Sequence, residues 1–177
     1  MLKSLECCYK EKKVVSIYTN LDDTNSHLTG YVVGFNNHEV LIAHISAHGL
    51  YDGFILKCID DIYRIDYSSE YEQKIENLYK HKKQTHPNME LLNLKRDLFC
   101  ALLDYAQDNE LVITFEFEDN YLSGFVEYYT DKTVNLKVIS DYGYDNGISI
   151  IDIDKVLTVS VDTDDEQDIK MLYNSLF

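Results

Sequence analysis

The sequence predicts a mainly β protein with flanking helices (α+β), made of two tandem small five-stranded antiparallel barrels. Three observations predict it. First, residues 28–79 laid on residues 122–173 at a fixed offset of 94, with no gap, agree at 15 of 52 positions. The agreements include Gly30/Gly124, Val32/Val126, Ile45-Ser46/Ile139-Ser140, Gly49/Gly143, Gly53/Gly147 and Ile59-Asp60/Ile153-Asp154. Glycines and buried-type residues that recur in register report backbone geometry and core volume, so one fold is built twice. Second, each copy holds five short apolar runs within about 85 residues, which leaves connections too short for a parallel sheet. Third, antiparallel strands that bend and close on themselves remove exposed edges. Gly30 and Gly124 inside a strand permit the bend that such closure needs.

The second copy displays its elements clearly. Leu111, Ile113, Phe115 and Phe117 alternate with polar or smaller residues, the period of a strand buried on one face. Asp119-Asn120 turns the chain into a strand over 122–129, and Val134, Leu136 and Val138 mark a third. Residues 140–147 (SDYGYDNG) predict a loop, followed by strands over 148–152 and 157–161, with a short turn at Asp154 between them. Ser69-x-x-Glu72 and Thr163-x-x-Glu166 are capping boxes at matched positions. Behind them Ile75/Leu78/Tyr79 and Ile169/Leu172/Tyr173/Leu176 form one apolar stripe per helix. The acidic run at 162–166 suits the positive end of a helix dipole and reads as helix initiation. Ahead of the second copy, Leu91, Leu94, Leu98, Phe99, Leu102, Leu103 and Ala106 predict a helix, matched by a shorter one over 1–12. Pro87, the only proline, sits in a polar stretch between helices and sets the boundary. The first repeat is then 1–86 and the second 87–177.

Composition narrows the class. No apolar run approaches a membrane span of ~18 residues, and no basic-then-apolar leader predicts secretion. Four cysteines with an adjacent pair and no C-x-x-C spacing suit reduced thiols and a cytoplasmic location. The net charge of −15 is unevenly divided. Up to Pro87 there are 10 Lys+Arg against 12 Asp+Glu; beyond it there are 6 against 19, so the halves carry −2 and −13. All six histidines lie in the first half. An acidic second half repels phosphate backbones, which confines any nucleic-acid contact to the first.

A helix followed by five strands resembles the Sm-like small barrel, and the resemblance covers most of each copy. Its first motif is approximated by Gly30-x-Val32-x-x-Phe35-Asn36 and by Gly124-x-Val126-x-x-Tyr129. The resemblance implies RNA binding through a polar residue in the turn after strand two, a place held by Asn36 or Asn37 in the first copy and by Thr130-Asp131 in the second. It also implies a basic turn between strands four and five, where this chain has Ile59-Asp60-Asp61 and Ile153-Asp154-Lys155. The extra C-terminal helices depart from the family pattern.

The most conspicuous polar-aromatic cluster is the loop before strand four. It supplies His48, Tyr51 and Asp52 in one copy and Tyr142, Tyr144 and Asp145 in the other. Tyrosines give contact area at low entropy cost, so the loop is a candidate protein-binding surface, for a partner or for self-association. The same loop also reads as a hairpin that needs glycines and polar residues for its own geometry. Lys82 and Lys83, in the basic stretch after the first C-terminal helix, are the candidate phosphate-facing residues for the RNA alternative. His44, His48 and Asp52 lack a matched set in the second copy, where Val138 and Tyr142 replace the histidines, and no metal is expected. No nucleophile elbow, phosphate-binding glycine loop or dinucleotide fingerprint is present, so the sequence predicts neither a cofactor nor an enzyme.

Overall fold

The protein is described by a computed structural model over residues 1–87 and 97–176. It divides into two compact units, Met1–Met89 and Glu90–Phe177. The first contains helix α1 (Leu2–Glu11), strands β1 (Val14–Tyr18), β2 (Leu28–Phe35), β3 (Glu39–Ile45), β4 (Tyr51–Cys58) and β5 (Arg64–Tyr67), and helix α2 (Glu70–His81). The second contains α3 (Leu98–Asp108), β6 (Ile113–Glu116), β7 (Tyr121–Tyr129), β8 (Thr133–Ile139), β9 (Asp145–Asp152), a single 3-10 turn (Ile153–Lys155), β10 (Thr158–Val161) and α4 (Asp164–Leu176). Leu91 and Leu94, expected on the helix before the second copy, lie outside the described residues.

The expectation of two closed barrels is corrected. Within each unit every ladder among the described residues is antiparallel, with strand order β5-β1-β2-β3-β4 in the first unit and β10-β6-β7-β8-β9 in the second. Among the described residues the two end strands of each order, β5 with β4 and β10 with β9, do not pair with each other, so neither unit's sheet closes. The reason lies between β4 and β5. Residues 59–63 make a tight turn, with Ile62 N–H donating to the Ile59 carbonyl at 3.1 Å, and both isoleucines enter the core. Burying two such side chains is worth about 1.5–3 kcal/mol each. It carries β5 across to β1, where it pairs over only four residues, 64–67, away from β4. In the second unit the 3-10 turn carries β10 across to β6 with Ile153 only half-buried, and Asp152 rather than Asp154 caps it, accepting from Asp154 N–H at 3.1 Å.

Each unit has two apolar layers because its first strand is buried on both faces. In β1, Val15 and Ile17 meet Leu5 and Cys8 of α1 together with Leu28, Val32, Val40 and Ile42. Val14 points the other way and packs under α2 with Ile45, Ile75 and Tyr79. Val112, Ile139 and Ile169 repeat that second layer under α4. The capping boxes hold the helices there. Glu72 is buried and takes the Ser69 N–H at 3.0 Å, the Ser69 hydroxyl at 2.5 Å and, from β1, the Ser16 hydroxyl at 2.6 Å. Glu166 takes the Thr163 N–H at 2.8 Å, the Thr163 hydroxyl at 2.5 Å and, from β10, the Ser160 hydroxyl at 2.8 Å. One carboxylate in each unit thus ties the helix start to the sheet, with the strand that supplies the second hydroxyl changed.

The in-register glycines serve close approach. A Cβ on Gly30 or Gly124 would strike the carbonyl of Ala43 or Lys137 on the neighbouring strand. Just beyond them a bulge shifts the register, between Val32 and Gly34 in β2 and between Val126 and Tyr128 in β7, and this is the bend the sequence anticipates. Gly49 (φ +69) and Gly143 (φ +80) seat the turn before the fourth strand directly on the last helix, against Leu78-Tyr79 and Leu172-Tyr173. The expected loops over 46–53 and 140–147 shorten to these turns, since β4 begins at Tyr51 and β9 at Asp145.

Candidate functional site

The site is a row of side chains on the face of the sheet that lies under the last helix. In the first unit Tyr31, Ala43 and Phe54 stand opposite one another across β2, β3 and β4. The corresponding row of the second unit is Phe125, Lys137 and Ile148 across β7, β8 and β9, in the same register. The repeat therefore presents one surface twice, with different chemistry on each.

In the first unit the row is roofed. Tyr79 of α2 lies over Tyr31, ring centroids 6.1 Å apart, and residues 82–87 fold back along the unit to bring in His86. The imidazole stacks on Tyr79 at 5.5 Å, faces Phe54 at 5.4 Å and meets Tyr51 edge-on at 4.7 Å. His86 Nε2 is 2.8 Å from the His44 carbonyl, which only accepts, so Nε2 carries the proton. Nδ1 then accepts from the Tyr79 hydroxyl at 2.6 Å. Burial depresses the His86 pKa from its usual 6.5 to about 4, so the imidazole is neutral at pH 7. Burial also raises the Tyr79 hydroxyl. Gln84 adds a further latch, its side-chain oxygen accepting from Tyr51 N–H at 3.1 Å. Phe54 is fully buried and Leu56, two residues on, is 3 % exposed.

In the second unit the row is open. Tyr173 of α4 covers Phe125, centroids 5.3 Å apart, as Tyr79 covers Tyr31. Its hydroxyl accepts from Lys137 Nζ at 2.9 Å, so a lysine ammonium bonds the tyrosine that His86 bonds in the first unit. That bond and the nearby Asp145 carboxylate, 3.4 Å away, raise the Lys137 pKa. Beside them α3, α4 and the sheet leave a groove of about 340 Å³, with Leu111, Phe125 and Val126 among its apolar lining and Lys137 and Lys170 its cations. The row continues onto β9, where Ile148 is 62 % and Ile150 71 % exposed.

The residues singled out in the sequence do not gather in one place. Tyr51 lies against His86 in the first unit's roof. Asp52 Oδ2 stands 3.1 Å from His44 Nδ1, a close electrostatic contact without the alignment of a hydrogen bond. His48 is exposed on the turn, and its carbonyl accepts from Lys82 Nζ at 2.7 Å. Tyr142 and Tyr144 are exposed on the β8–β9 turn, while Asp145 opens β9 beside Lys137. Asn36 turns its carboxamide oxygen onto His38 and Glu39 N–H at 2.7 and 2.8 Å, closing its own hairpin. Asn37 is exposed on that hairpin, and Lys83 follows α2 with φ 54. No three of His, Cys, Asp and Glu gather as metal ligands among the described residues. Sequence reasoning missed His86, Lys137, Ile148 and Ile150. Reading the offset of 94 for differences as well as identities marks three of them, since Ala43 becomes Lys137, Phe54 becomes Ile148 and Leu56 becomes Ile150.

No protein-family model, curated protein or solved structure matches this chain.

Proposed function

We propose that the chain is a non-enzymatic protein-binding module that docks a partner on its second unit, at the open row and edge strand β9. The observation that carries this reading is the exposure of Ile148 and Ile150, 62 % and 71 %, on a strand whose only ladder among the described residues runs to β8. An edge strand with two isoleucines bared at alternate positions is a template for an added strand, and such edges are normally short, charged or covered. The Sm-like resemblance belongs to this reading only as the recurring order of a helix and then five strands. No helix among the described residues is long and apolar enough to cross a membrane. No disulfide joins any of the four cysteines, which suits a reducing compartment, and a cytoplasmic location is part of the proposal on that ground. RNA binding by the first unit has less support, because Asn36 closes its own turn and Lys82 holds the His48 carbonyl.

The test is retention of peptides from a displayed library by the full chain and by its Ile148→Lys/Ile150→Lys variant. Peptides held by the first and released by the second, with unfolding midpoints unchanged, are the expected result. Equal retention by both proteins, or none by either, overturns the reading.

A further inference from the structure

The repeat builds the same bulge twice, and only the second unit leaves it open to solvent. Lys137 stands opposite Ile148 and Ile139 opposite Asp145, so Val138 of β8 faces two residues of β9, Asn146 and Gly147. At the offset of 94 their counterparts are Asp52 and Gly53, in the corresponding bulge of β3 and β4. There Gly53 is buried and the Asp52 carboxylate lies 3.1 Å from His44 Nδ1. Asn146 and Gly147 are both exposed, and β9 has no second ladder among the described residues to resist a small turn of its backbone.

An asparagine before a glycine sets an electrophile, its side-chain carbonyl carbon, close to a nucleophile, the next backbone nitrogen. Attack closes a five-membered ring within one chain, and a following glycine places no Cβ in its way. Three features of this bulge favour the attack. Gly147, at φ +84, has nothing within 4 Å of where a Cβ would stand. Its N–H donates to Asp145 Oδ1 at 2.9 Å, so a carboxylate already holds the proton that must leave the nitrogen. The Asn146 carboxamide makes no hydrogen bond among the described residues that would hold it away from that nitrogen.

We propose that Asn146-Gly147 is a self-modifying site, at which the Gly147 nitrogen displaces ammonia from the Asn146 side chain with Asp145 as proton acceptor. The bond from the nitrogen to Cγ forms, the Cγ–Nδ2 bond breaks, and the amide proton passes through the Asp145 carboxylate to the departing ammonia. Water then opens the ring. Entry at Cγ leaves aspartate, which reproduces the Asp-Gly pair of the first unit. Entry at the main-chain carbonyl leaves isoaspartate, with one more methylene in the backbone. Either product adds a negative charge to β9, and isoaspartate lengthens that strand just ahead of Ile148. The chemistry needs no partner and is independent of the docking proposed above.

The test incubates the full chain at pH 7, folded and in guanidinium chloride, and samples both over days by dilution, trypsin digestion and mass spectrometry. The peptide of residues 138–155 has Asn146 as its only asparagine, so its mass alone assigns the site. That peptide should gain a single mass unit and divide into two chromatographic components, at least as fast in the folded chain as in the unfolded one. Asn20, Asn25, Asn36 and Asn37 should convert later. Asp145→Ala, at an exposed position, should slow conversion several-fold in the folded chain and leave the unfolded rate unchanged. A folded chain that keeps Asn146 while the unfolded chain loses it overturns the inference, because the bulge then protects the pair. Conversion of the folded Asp145→Ala variant at the parent rate also overturns it, since the carboxylate then takes no part.

Discussion

Tyr79 and Tyr173 occupy the same place on the same helix of two copies of one fold, yet one hydroxyl meets a half-buried imidazole and the other an ammonium beside an open groove. Around both tyrosines the supporting contacts are kept. Gly49 and Gly143 press the turn onto the helix, Glu72 and Glu166 bind its first turn to the sheet, and Ile75 and Ile169 fill the layer beneath. The repeat thus retains what seats the helix and varies what lies beside it. Those supporting contacts define a frame, and the row under the helix is where the two units differ in chemistry.

The sharpest way to break this comparison is to make the same deletion in both rows. Phe54→Ala removes a fully buried ring and should cost about 3–5 kcal/mol in urea unfolding. Ile148→Ala, at the matched position, should stay within about 0.5 kcal/mol. Comparable losses would mean that the β9 face is covered, and the contrast between closed and open rows would fall.

Acid should separate the units next. His86 has its pKa lowered to about 4, so between pH 6.5 and 4 the unfolded chain binds a proton that the folded chain refuses. The stability contributed by the neutral imidazole is complete above pH 6.5 and is lost as the pH falls toward 4, by up to about 3 kcal/mol. His86→Asn should flatten that slope. The second unit has no histidine, so the slope should follow probes in the first unit alone. Site-resolved hydrogen exchange at pH 7 and 4.5 makes the measurement, and equal loosening of α2 and α4 would contradict it.

The smallest effect tests the frame. Gly143→Ala places a Cβ 2.6 Å from the Tyr173 amide nitrogen at a positive φ and should cost about 2–3 kcal/mol. Gly147→Ala has a similar φ of +84 but nothing within 4 Å, and should cost about 1 kcal/mol, the backbone strain alone. Thermal unfolding of the pair distinguishes seating of the helix from turn geometry.

Much of this frame was legible in the chain. Alternating apolar residues mark the strands, and Ser69-x-x-Glu72 and Thr163-x-x-Glu166 mark the helix starts, because periodicity and capping are local properties. Sheet closure was not legible, since it depends on where Ile59 and Ile62 are buried. The candidate site was legible only in part. Tyr51 belongs to the roof of the first unit, but the exposed Tyr142 and Tyr144 were picked for their type rather than for a surface they share. His86 escaped notice because its polar, proline-containing stretch resembles a linker, and only the folded chain lays it across Phe54.

The sequence alone determined that one fold occurs twice, with its helix caps, turn glycines and division of charge, because each of these is written in residues close along the chain or repeated at a constant offset. Tertiary structure decided that the sheets stay open, that His86 closes one row and that Lys137 and Ile148 leave the other bare. Those outcomes depend on which distant segments compete to cover the same apolar surface, and exposure is a property of that competition, not of any residue type.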